Sequence, residues 1–268
     1  MKIAYATLGC PNWTLEQIAE QAHTLGYDGV ELRGVAGEHI GPDEPAAERR
    51  RIRGLFERHG VAIACIMGYN NFTTADEKEY QGSISSIGKF INLARDIGCP
   101  TVRIFGGLLE ESAPEAGIQR VIKALRILTV QAEAAGICLA FETHDDWCEG
   151  RNLAILLKEI TSPAFGICWD VANSFAREPL ETTAAAIRGR VKHTHIKDTI
   201  SREGKTTGCL PGQGSVDLRR AVQLLHADNY RGYLSFEWEK KWEPHLEEPE
   251  TAFPHYVRFM KEIFRELP

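Results

Sequence analysis

The sequence lacks the features that would place it on a nucleic acid or in a membrane. It carries 37 acidic and 31 basic residues, a formal charge of −6, and no run rich in lysine or arginine. Proteins that bind nucleic acids normally present a basic stripe to the phosphate backbone. No apolar stretch approaches the roughly 18 residues that a membrane-spanning helix needs. We therefore expect neither a nucleic-acid partner nor a membrane.

The seven cysteines do not form a recognisable framework. Their number is odd, they are scattered along the chain, and no C-x-x-C motif occurs. This pattern argues against a disulfide scaffold and against a structural zinc site. The N-terminal segment runs directly into a short strand pattern, without the apolar core of a signal peptide. We expect a reduced, cytoplasmic protein.

Strand and helix patterns alternate along the whole chain, without a polar linker or a low-complexity segment between them. Eight strands are predicted, each followed by a helix, at residues 3–8, 29–33, 61–67, 101–105, 138–143, 165–169, 191–196 and 233–238. The longest predicted loop spans residues 199–214. Such alternation indicates a parallel sheet, and the length suits one barrel of about 250 residues. We predict an α/β fold, a single (β/α)₈ TIM barrel over residues 1–268, with a doubly wound open sheet as the alternative.

Four consecutive predicted strands end in an ionisable side chain. These residues are Glu142, Asp170, His195 and Glu237. In a TIM barrel the active site lies at the C-terminal ends of the strands and takes residues from several of them. An open sheet would concentrate such residues at one switch point. The strand ends therefore favour the barrel and predict one shared site.

Three carboxylates that converge in a poorly solvated site must be protonated, paired or bound to a cation. We predict one divalent metal ion held by Glu142, Asp170, His195 and Glu237. Oxygen-rich ligands with one imidazole favour Mn²⁺, Mg²⁺ or Co²⁺ over a sulfur-rich zinc site; we expect Mn²⁺, and Zn²⁺ is also compatible. The alternative is that the carboxylates form salt bridges with Arg33, Arg103, Lys192 and Lys197.

Other polar and aromatic residues lie close to these strand ends. His193 and His195 are two residues apart and share a face, so the spacing does not decide which one binds the metal. Lys197 continues that face, and Asn173 follows Asp170 by three residues, where a helix cap is its structural alternative. Five aromatic residues near predicted loops or strand ends are candidates for a hydrophobic wall beside a sugar, with core packing as the default for each: Trp13, Phe72, Trp147, Trp169 and Trp242. The candidate substrate-binding residues are His144, Asn173, His193, Lys197, Arg103 and Trp13.

Five motifs carry a family resemblance that covers essentially the whole chain. They are E-x-H at 142–144, W-D-V-A-N at 169–173, H-T-H-I-K-D at 193–198, P-G-Q-G-S-V-D-L at 211–218 and S-F-E-W-E at 235–239. Together they resemble the xylose-isomerase-like TIM barrel superfamily of sugar isomerases and epimerases, which includes ketose 3-epimerases and inosose-modifying enzymes.

The resemblance implies a role for individual residues. It selects His195 as the metal-binding histidine and makes Glu142 and Glu237 the catalytic acid and base. It also implies that His144 and Asn173 contact the substrate. One position departs from the pattern: ketose 3-epimerases place an arginine six residues after the metal histidine, where this chain has Ser201, with Arg202 one residue further on.

The predicted chemistry is proton transfer at a carbon next to a carbonyl, through an enediolate stabilised by the metal. The substrate is expected to be a small sugar or cyclitol, and the outcome epimerisation or isomerisation. Dehydration at the same site is the main alternative. An abasic-site endonuclease, which needs several metals and a basic surface, and a non-catalytic sugar-binding barrel are less favoured. A homo-oligomer is compatible with the sequence.

The loop at 199–214 bears on whether the substrate is phosphorylated. Barrels often bind phosphate at this position through backbone N–H groups, and the loop supplies glycines at 208, 212 and 214 together with Arg202 and Lys205. Asp217 and Pro211 oppose an anion there. We therefore expect a non-phosphorylated substrate, with the loop as a partial lid.

Overall fold

A computed structural model of the chain describes residues 1–202 and 204–267. Within them, eight parallel strands close into a barrel, in the order β1, β2, β3, β4, β5, β6, β7, β10 and back to β1. These strands are β1 (Lys2–Ala6), β2 (Gly29–Arg33), β3 (Ala62–Met67), β4 (Thr101–Ile104), β5 (Cys138–Glu142), β6 (Phe165–Asp170), β7 (Val191–Ile196) and β10 (Tyr233–Phe236). The predicted TIM barrel is confirmed.

Helices surround the barrel and connect its strands. They are α1 (Leu15–Leu25), α2 (Ala46–His59), α3 (Glu77–Ile97), α4 (Pro114–Ala135), α5 (Gly150–Glu159), α6 (Val171–Phe175), α7 (Leu180–Ala186), α8 (Leu218–Ala227) and α9 (Pro249–Glu266). In the part of the chain that the structure describes, none of them is long and apolar enough to cross a membrane.

Local sequence signals set the ends of the longer helices. The side chain of Thr14 accepts a hydrogen bond from the Gln17 N–H, and the Gln17 side chain reaches back to the Thr14 N–H, which together form a capping box. Helices α1 to α4 each end at a glycine with positive φ, where any other residue would be strained. These four glycines are Gly26, Gly60, Gly98 and Gly136.

Two elements depart from the prediction. The segment expected to be the longest loop contains an antiparallel hairpin, β8 (Asp198–Arg202) and β9 (Lys205–Cys209), so the prediction of a loop throughout 199–214 is wrong. Threonines in both strands favour the extended backbone, but the glycines between and after them concealed the pattern. Helix α6 has only five residues, too few for a helical period to be visible.

Asp198 ties the rest of this segment to the barrel. Its side chain is buried, and its Oδ2 atom accepts hydrogen bonds from the N–H groups of Gly212 at 2.8 Å and Gly214 at 2.9 Å. Its Oδ1 atom accepts from the N–H groups of Val216 at 3.1 Å and Thr199 at 2.9 Å. A Cβ atom at Gly214 would lie 2.1 Å from Asp198 Oδ1, so this position requires glycine. One carboxylate therefore shapes the segment before α8.

We expect Asp198→Ala to lower the free energy of unfolding by about 2 to 4 kcal/mol, because it leaves several backbone N–H groups without their charged acceptor. The control is Asp217→Ala, which removes the exposed cap of α8 and should cost about 1 kcal/mol. Urea unfolding curves of both variants measure the difference. Equal losses would show that Asp198 does not anchor the segment.

Candidate active site

The four predicted metal-binding residues lie together at the C-terminal mouth of the barrel. Glu142 and Asp170 end β5 and β6, His195 lies near the end of β7, and Glu237 follows β10 directly. One donor atom from each lies within 4.8 Å of the others, and all four side chains are buried. We call these residues the acidic cluster. The convergence expected from the strand ends is present.

The imidazole of His195 is at the centre of the acidic cluster. Its Nδ1 atom lies 2.8 Å from Glu142 Oε1 and 3.2 Å from Glu237 Oε1. The same nitrogen is 4.0 Å from Asp170 Oδ2. Nδ1 therefore faces all three carboxylates.

Asp170 has two roles, one for each carboxylate oxygen. Its Oδ1 atom accepts a hydrogen bond from the Asn173 N–H at 2.9 Å and caps α6. Asn173 is therefore not the cap; its side-chain amide instead donates to the Thr143 carbonyl at 3.2 Å. The cap fixes the direction of the Asp170 carboxylate and leaves Oδ2 pointing into the acidic cluster.

Two cations pair with the acidic cluster. Arg103 Nε lies 3.1 Å from Glu142 Oε2, and Arg103 also donates to the Gly68 carbonyl at 2.9 Å. Lys197 Nζ donates to Glu237 Oε2 at 2.7 Å and to Glu239 Oε1 at 2.8 Å. The salt-bridge alternative therefore holds for Arg103 and Lys197. Arg33, in contrast, pairs with Glu38.

The carboxylates of the acidic cluster are not equally compensated. Burial raises the pKa of Asp170 to about 7, and Glu237 and Glu142 add to this effect, although Lys197 opposes it. Burial also acts on Glu237, but His195 and Lys197 outweigh it and lower the pKa of Glu237 to about 2. For Glu142, burial is likewise outweighed, by Arg103 and His195, and its pKa is lowered. Asp170 is thus the carboxylate with the least compensation.

The acidic cluster fits a divalent cation. Among the described residues, Glu142 Oε2 and Asp170 Oδ2 are buried without a hydrogen bond of good geometry. Lys197 Nζ lies only 2.9 Å from Asp170 Oδ2 but already serves Glu237 and Glu239. Three carboxylates and one imidazole are the donors that Mn²⁺, Mg²⁺ or Co²⁺ accept. A bound cation would satisfy both oxygens and supply the missing positive charge.

The remaining predicted residues fall in three places. His193 is buried and hydrogen-bonded to Glu31 at 2.9 Å, away from the carboxylates of the acidic cluster. His144 is partly exposed and packs on Phe105, with ring centroids 4.7 Å apart. Trp13 packs edge-on against Phe253 at 5.6 Å, and its described contacts do not include the acidic cluster.

Of the aromatic residues considered for a wall beside a sugar, three are buried in the core and Trp242 is exposed. Phe72, Trp147 and Trp169 are core residues with at most 1% of their surface exposed, so the default of core packing holds for them and they do not line a sugar. Trp242 is 56% exposed and lies over the guanidinium of Arg33 at 4.9 Å. Large aromatic side chains near strand ends also bury their surface between the barrel and its helices.

Sequence reasoning missed the aromatic residues that do border the site. The guanidinium of Arg103 lies 3.9 Å from the Phe105 ring centroid and 5.1 Å from that of Tyr69. Tyr69 also accepts a hydrogen bond from Arg33 Nε at 2.9 Å. Both aromatic residues follow their strands, β3 and β4, by one or two positions. A position just after a barrel strand was the signal that could have identified them, because Glu237 also follows its strand, β10, directly.

Residues 19–263 match the family model of the xylose isomerase-like TIM barrel. The chain belongs to this family. It is 24% identical over 282 residues to fructoselysine 3-epimerase of Shigella flexneri, covering 100% of this chain and 98% of the relative. It is 29% identical over 250 residues to the putative L-ribulose-5-phosphate 3-epimerase SgbU of Escherichia coli K12, covering 84% and 85%.

Solved structures share the fold at low sequence identity. A D-tagatose 3-epimerase-like protein superposes with a TM-score of 0.82 at 17% identity, covering 100% of this chain and 98% of that one. The probable 3-DHS dehydratase AsbF from Bacillus anthracis gives a TM-score of 0.76 at 15% identity, covering 97% and 99%. Epimerases and a dehydratase therefore share this architecture, and the fold alone does not separate them.

We expect Asp170→Asn to lose most of its divalent metal, because asparagine still caps α6 but removes the charge that faces the acidic cluster. Elemental analysis after gentle purification should find one ion per chain in the wild type and little in the variant. Asp145→Asn, on the partly exposed residue beside His144, is the control and should keep its ion. Unchanged metal content in Asp170→Asn would contradict the assignment of this ligand.

Proposed function

We propose that the protein is a divalent-metal-dependent epimerase or isomerase of a sugar or cyclitol, with Glu142 and Glu237 as the proton-transfer pair. The observation that carries this proposal is the approach of both glutamates to one point. Glu142 Oε1 and Glu237 Oε1 lie within 2.8 and 3.2 Å of the same nitrogen of His195. A substrate carbon above that point would be within reach of both carboxylates.

Proton transfer next to a carbonyl needs a base on one side of the carbon and a proton source on the other. A bound divalent ion would supply Lewis-acid stabilisation of the negative charge that develops on the carbonyl oxygen. Low pKa values keep Glu142 and Glu237 ionised, so each is able to accept a proton. Tyr69 and Phe105 border the site and help to exclude water from it.

The cationic partners distinguish the two glutamates. Glu142 is paired with Arg103, whose guanidinium does not release its proton. Glu237 is hydrogen-bonded to the ammonium of Lys197, which holds a proton 2.7 Å from Glu237 Oε2. We assign proton abstraction to Glu142, which is left protonated, and proton return to Glu237, which draws the proton from Lys197; exchange with solvent then restores both groups. For the opposite epimer the same groups act in reverse, and Glu142 enters that reaction in its protonated form.

The direct test of this function is a screen of ketoses, inososes and their phosphates in D₂O with the Mn²⁺-loaded enzyme. Deuterium from the solvent should appear at the carbon next to the carbonyl of the true substrate, together with an epimer or isomer. A chain that binds a sugar from this panel but never exchanges its proton would be a binding protein. That outcome would refute the proposal.

We expect Glu142→Gln and Glu237→Gln each to lower turnover by about 10²- to 10⁴-fold, the usual contribution of a general acid or base. Because the two residues serve opposite faces of the carbon, each variant should still exchange deuterium into one epimer and fail with the other. Proton NMR of both epimers in D₂O measures this. Glu239→Gln, which changes a Lys197 partner outside the acidic cluster, is the control and should exchange both epimers. Normal exchange in both glutamine variants would overturn the pair.

Dehydration is the second candidate, because Lys197 is also a proton source for a leaving hydroxyl group. The ammonium lies 2.7 to 2.9 Å from Glu237, Glu239 and Asp170, where it is able to protonate a hydroxyl group that leaves from the enediolate. AsbF shows that a probable dehydratase uses this fold. The same D₂O screen separates the reactions, because dehydration yields an unsaturated carbonyl product with strong ultraviolet absorbance.

A non-phosphorylated substrate is part of the proposal. The N–H groups of Gly212, Gly214 and Val216, which would suit a phosphate, are bound by the carboxylate of Asp198. Arg202 and Lys205 are exposed and face each other at the end of the β8–β9 hairpin. The segment therefore carries its own anion. The printed name of SgbU includes a phosphate, and the comparison below tests whether that property extends to this chain.

We expect the free substrate to be turned over with a higher kcat/KM than its phosphate, because the backbone donors of the segment are already occupied. Matched free and phosphorylated substrates measure this in the wild type, in Arg202→Ala and in Lys205→Ala. A preference for the phosphate of more than about tenfold, worth roughly 1.4 kcal/mol, that disappears in either variant would contradict the proposal of a non-phosphorylated substrate.

A cytoplasmic location stays a prediction.

A further inference from the structure

A second layer of polar groups lies inside the barrel, around the buried carboxylate of Glu31. Glu31 is on β2 and has no exposed surface. Its Oε2 atom accepts hydrogen bonds from Ser235 Oγ at 2.7 Å and is 2.9 Å from His193 Nε2. Its Oε1 atom is 3.1 Å from His195 Nε2. The carboxylate of Glu31 therefore links β2 to β7 and β10, two strands that come much later in the sequence.

Both ring nitrogens of His195 face a carboxylate, Nε2 facing Glu31 at 3.1 Å and Nδ1 facing Glu142 at 2.8 Å. A neutral imidazole carries its proton on one nitrogen, and only the other is able to bind a metal. A metal ion on Nδ1 would replace the proton of that nitrogen, and Glu31 would then accept the remaining proton on Nε2. Metal-binding histidines commonly donate their second nitrogen to a carboxylate in this way.

We propose that Glu31 is a positioning residue for the metal centre, which holds His195 in the tautomer with the proton on Nε2 and the Nδ1 lone pair directed into the acidic cluster. This inference rests on the metal site of the proposed function, but not on the identity of the substrate. It also assigns His193 to the support of Glu31 rather than to the substrate. His193 and Ser235 hold the Oε2 side of Glu31 in place, so that Oε1 is available to His195.

Glu31, Cys65 and His193 also present donor atoms within 4.8 Å of one another, which raises the alternative of a second metal site. Their hydrogen bonds argue against it. Both oxygens of Glu31 and Nε2 of His193 have partners, and the Cys65 thiol donates to the Ile66 carbonyl at 3.6 Å. Among the described residues, the buried side-chain nitrogen and oxygen atoms that lack a hydrogen bond include Glu142 Oε2 and Asp170 Oδ2 of the acidic cluster, but no atom of Glu31 or His193.

Glu31→Gln tests the proposal with a minimal change in shape. The amide has one acceptor oxygen and one N–H₂ group, and the side that faces both Ser235 and His193 requires the acceptor. The N–H₂ group is then directed at His195 Nε2, which favours the wrong tautomer, with the proton on Nδ1. Glu31→Leu is a second variant that offers no acceptor at all. Cys65→Ala is the matched control, because Cys65 pairs in register with Glu31 on the neighbouring strand β3 but donates to the Ile66 carbonyl and not to the carboxylate.

The first measurement is Mn²⁺ affinity by isothermal titration calorimetry, without substrate. We expect Glu31→Gln and Glu31→Leu to bind Mn²⁺ about 10- to 100-fold more weakly than the wild type, the usual effect of losing such a partner, with Cys65→Ala unchanged. The second measurement is ¹⁵N NMR of the histidine rings in the wild type loaded with diamagnetic Zn²⁺. It should show the proton of His195 on Nε2.

Each outcome decides the inference. Wild-type affinity in both Glu31 variants, a proton on Nδ1 of zinc-loaded His195, or two ions per chain would overturn it. If the Glu31 variants do not fold, the wild-type NMR spectrum decides alone. A protein that binds Mn²⁺ as expected but transforms no sugar would refute the proposed function and leave the role of Glu31 standing.

Discussion

The burial of carboxylates inside the barrel is the constraint on which the site depends. Removing a carboxylate from water costs several kcal/mol unless partners compensate it. Glu31 obtains two imidazoles, Glu142 obtains Arg103, and Glu237 obtains Lys197. Asp170 has to share Lys197 with Glu237 and Glu239, and burial raises its pKa to about 7. A divalent cation at this place would correct the imbalance, so the electrostatics of the site favour the same ion that the proposed reaction needs.

The sequence predicted what is encoded locally. An apolar run that ends in Glu142 or Asp170 shows both the strand and the end at which its charge lies, so the barrel and the members of the acidic cluster could be predicted. The partner of Glu31 could not, because His193 and His195 are 162 and 164 residues away along the chain. The sequence of β2 shows a charged residue, Glu31, within an apolar strand. This pattern indicates that the charge needs a partner but does not identify the partner. The aromatic residues that border the site were missed for a similar reason: the sequence does not show which aromatic side chains face the mouth of the barrel and which face the helices.

The segment after β7 shows how the same composition supports opposite functions. Glycines before a helix start are typical of a phosphate site, and here they do surround an anion. The anion is the side chain of Asp198, which accepts from Gly212, Gly214 and Val216. The segment keeps the backbone geometry of an anion site but uses it to tie the connection before α8 to Asp198. The glycine pattern alone therefore does not indicate a phosphorylated substrate, because the anion that the glycines surround belongs to the protein itself.

Epimerisation and dehydration make different demands on the contacts of Lys197. An ammonium has three protons, and those of Lys197 face Asp170, Glu237 and Glu239. To protonate a leaving hydroxyl group, Lys197 would have to give up one of these partners. Glu239 is the one most easily released, since its side chain is 32% exposed while the other two are nearly or fully buried. Epimerisation needs no such release, because the proton returns through the existing contact with Glu237. The geometry therefore supports proton return more directly than loss of a hydroxyl group, and the pairing of Lys197 with Glu239 is the contact that would have to change for dehydration to prevail.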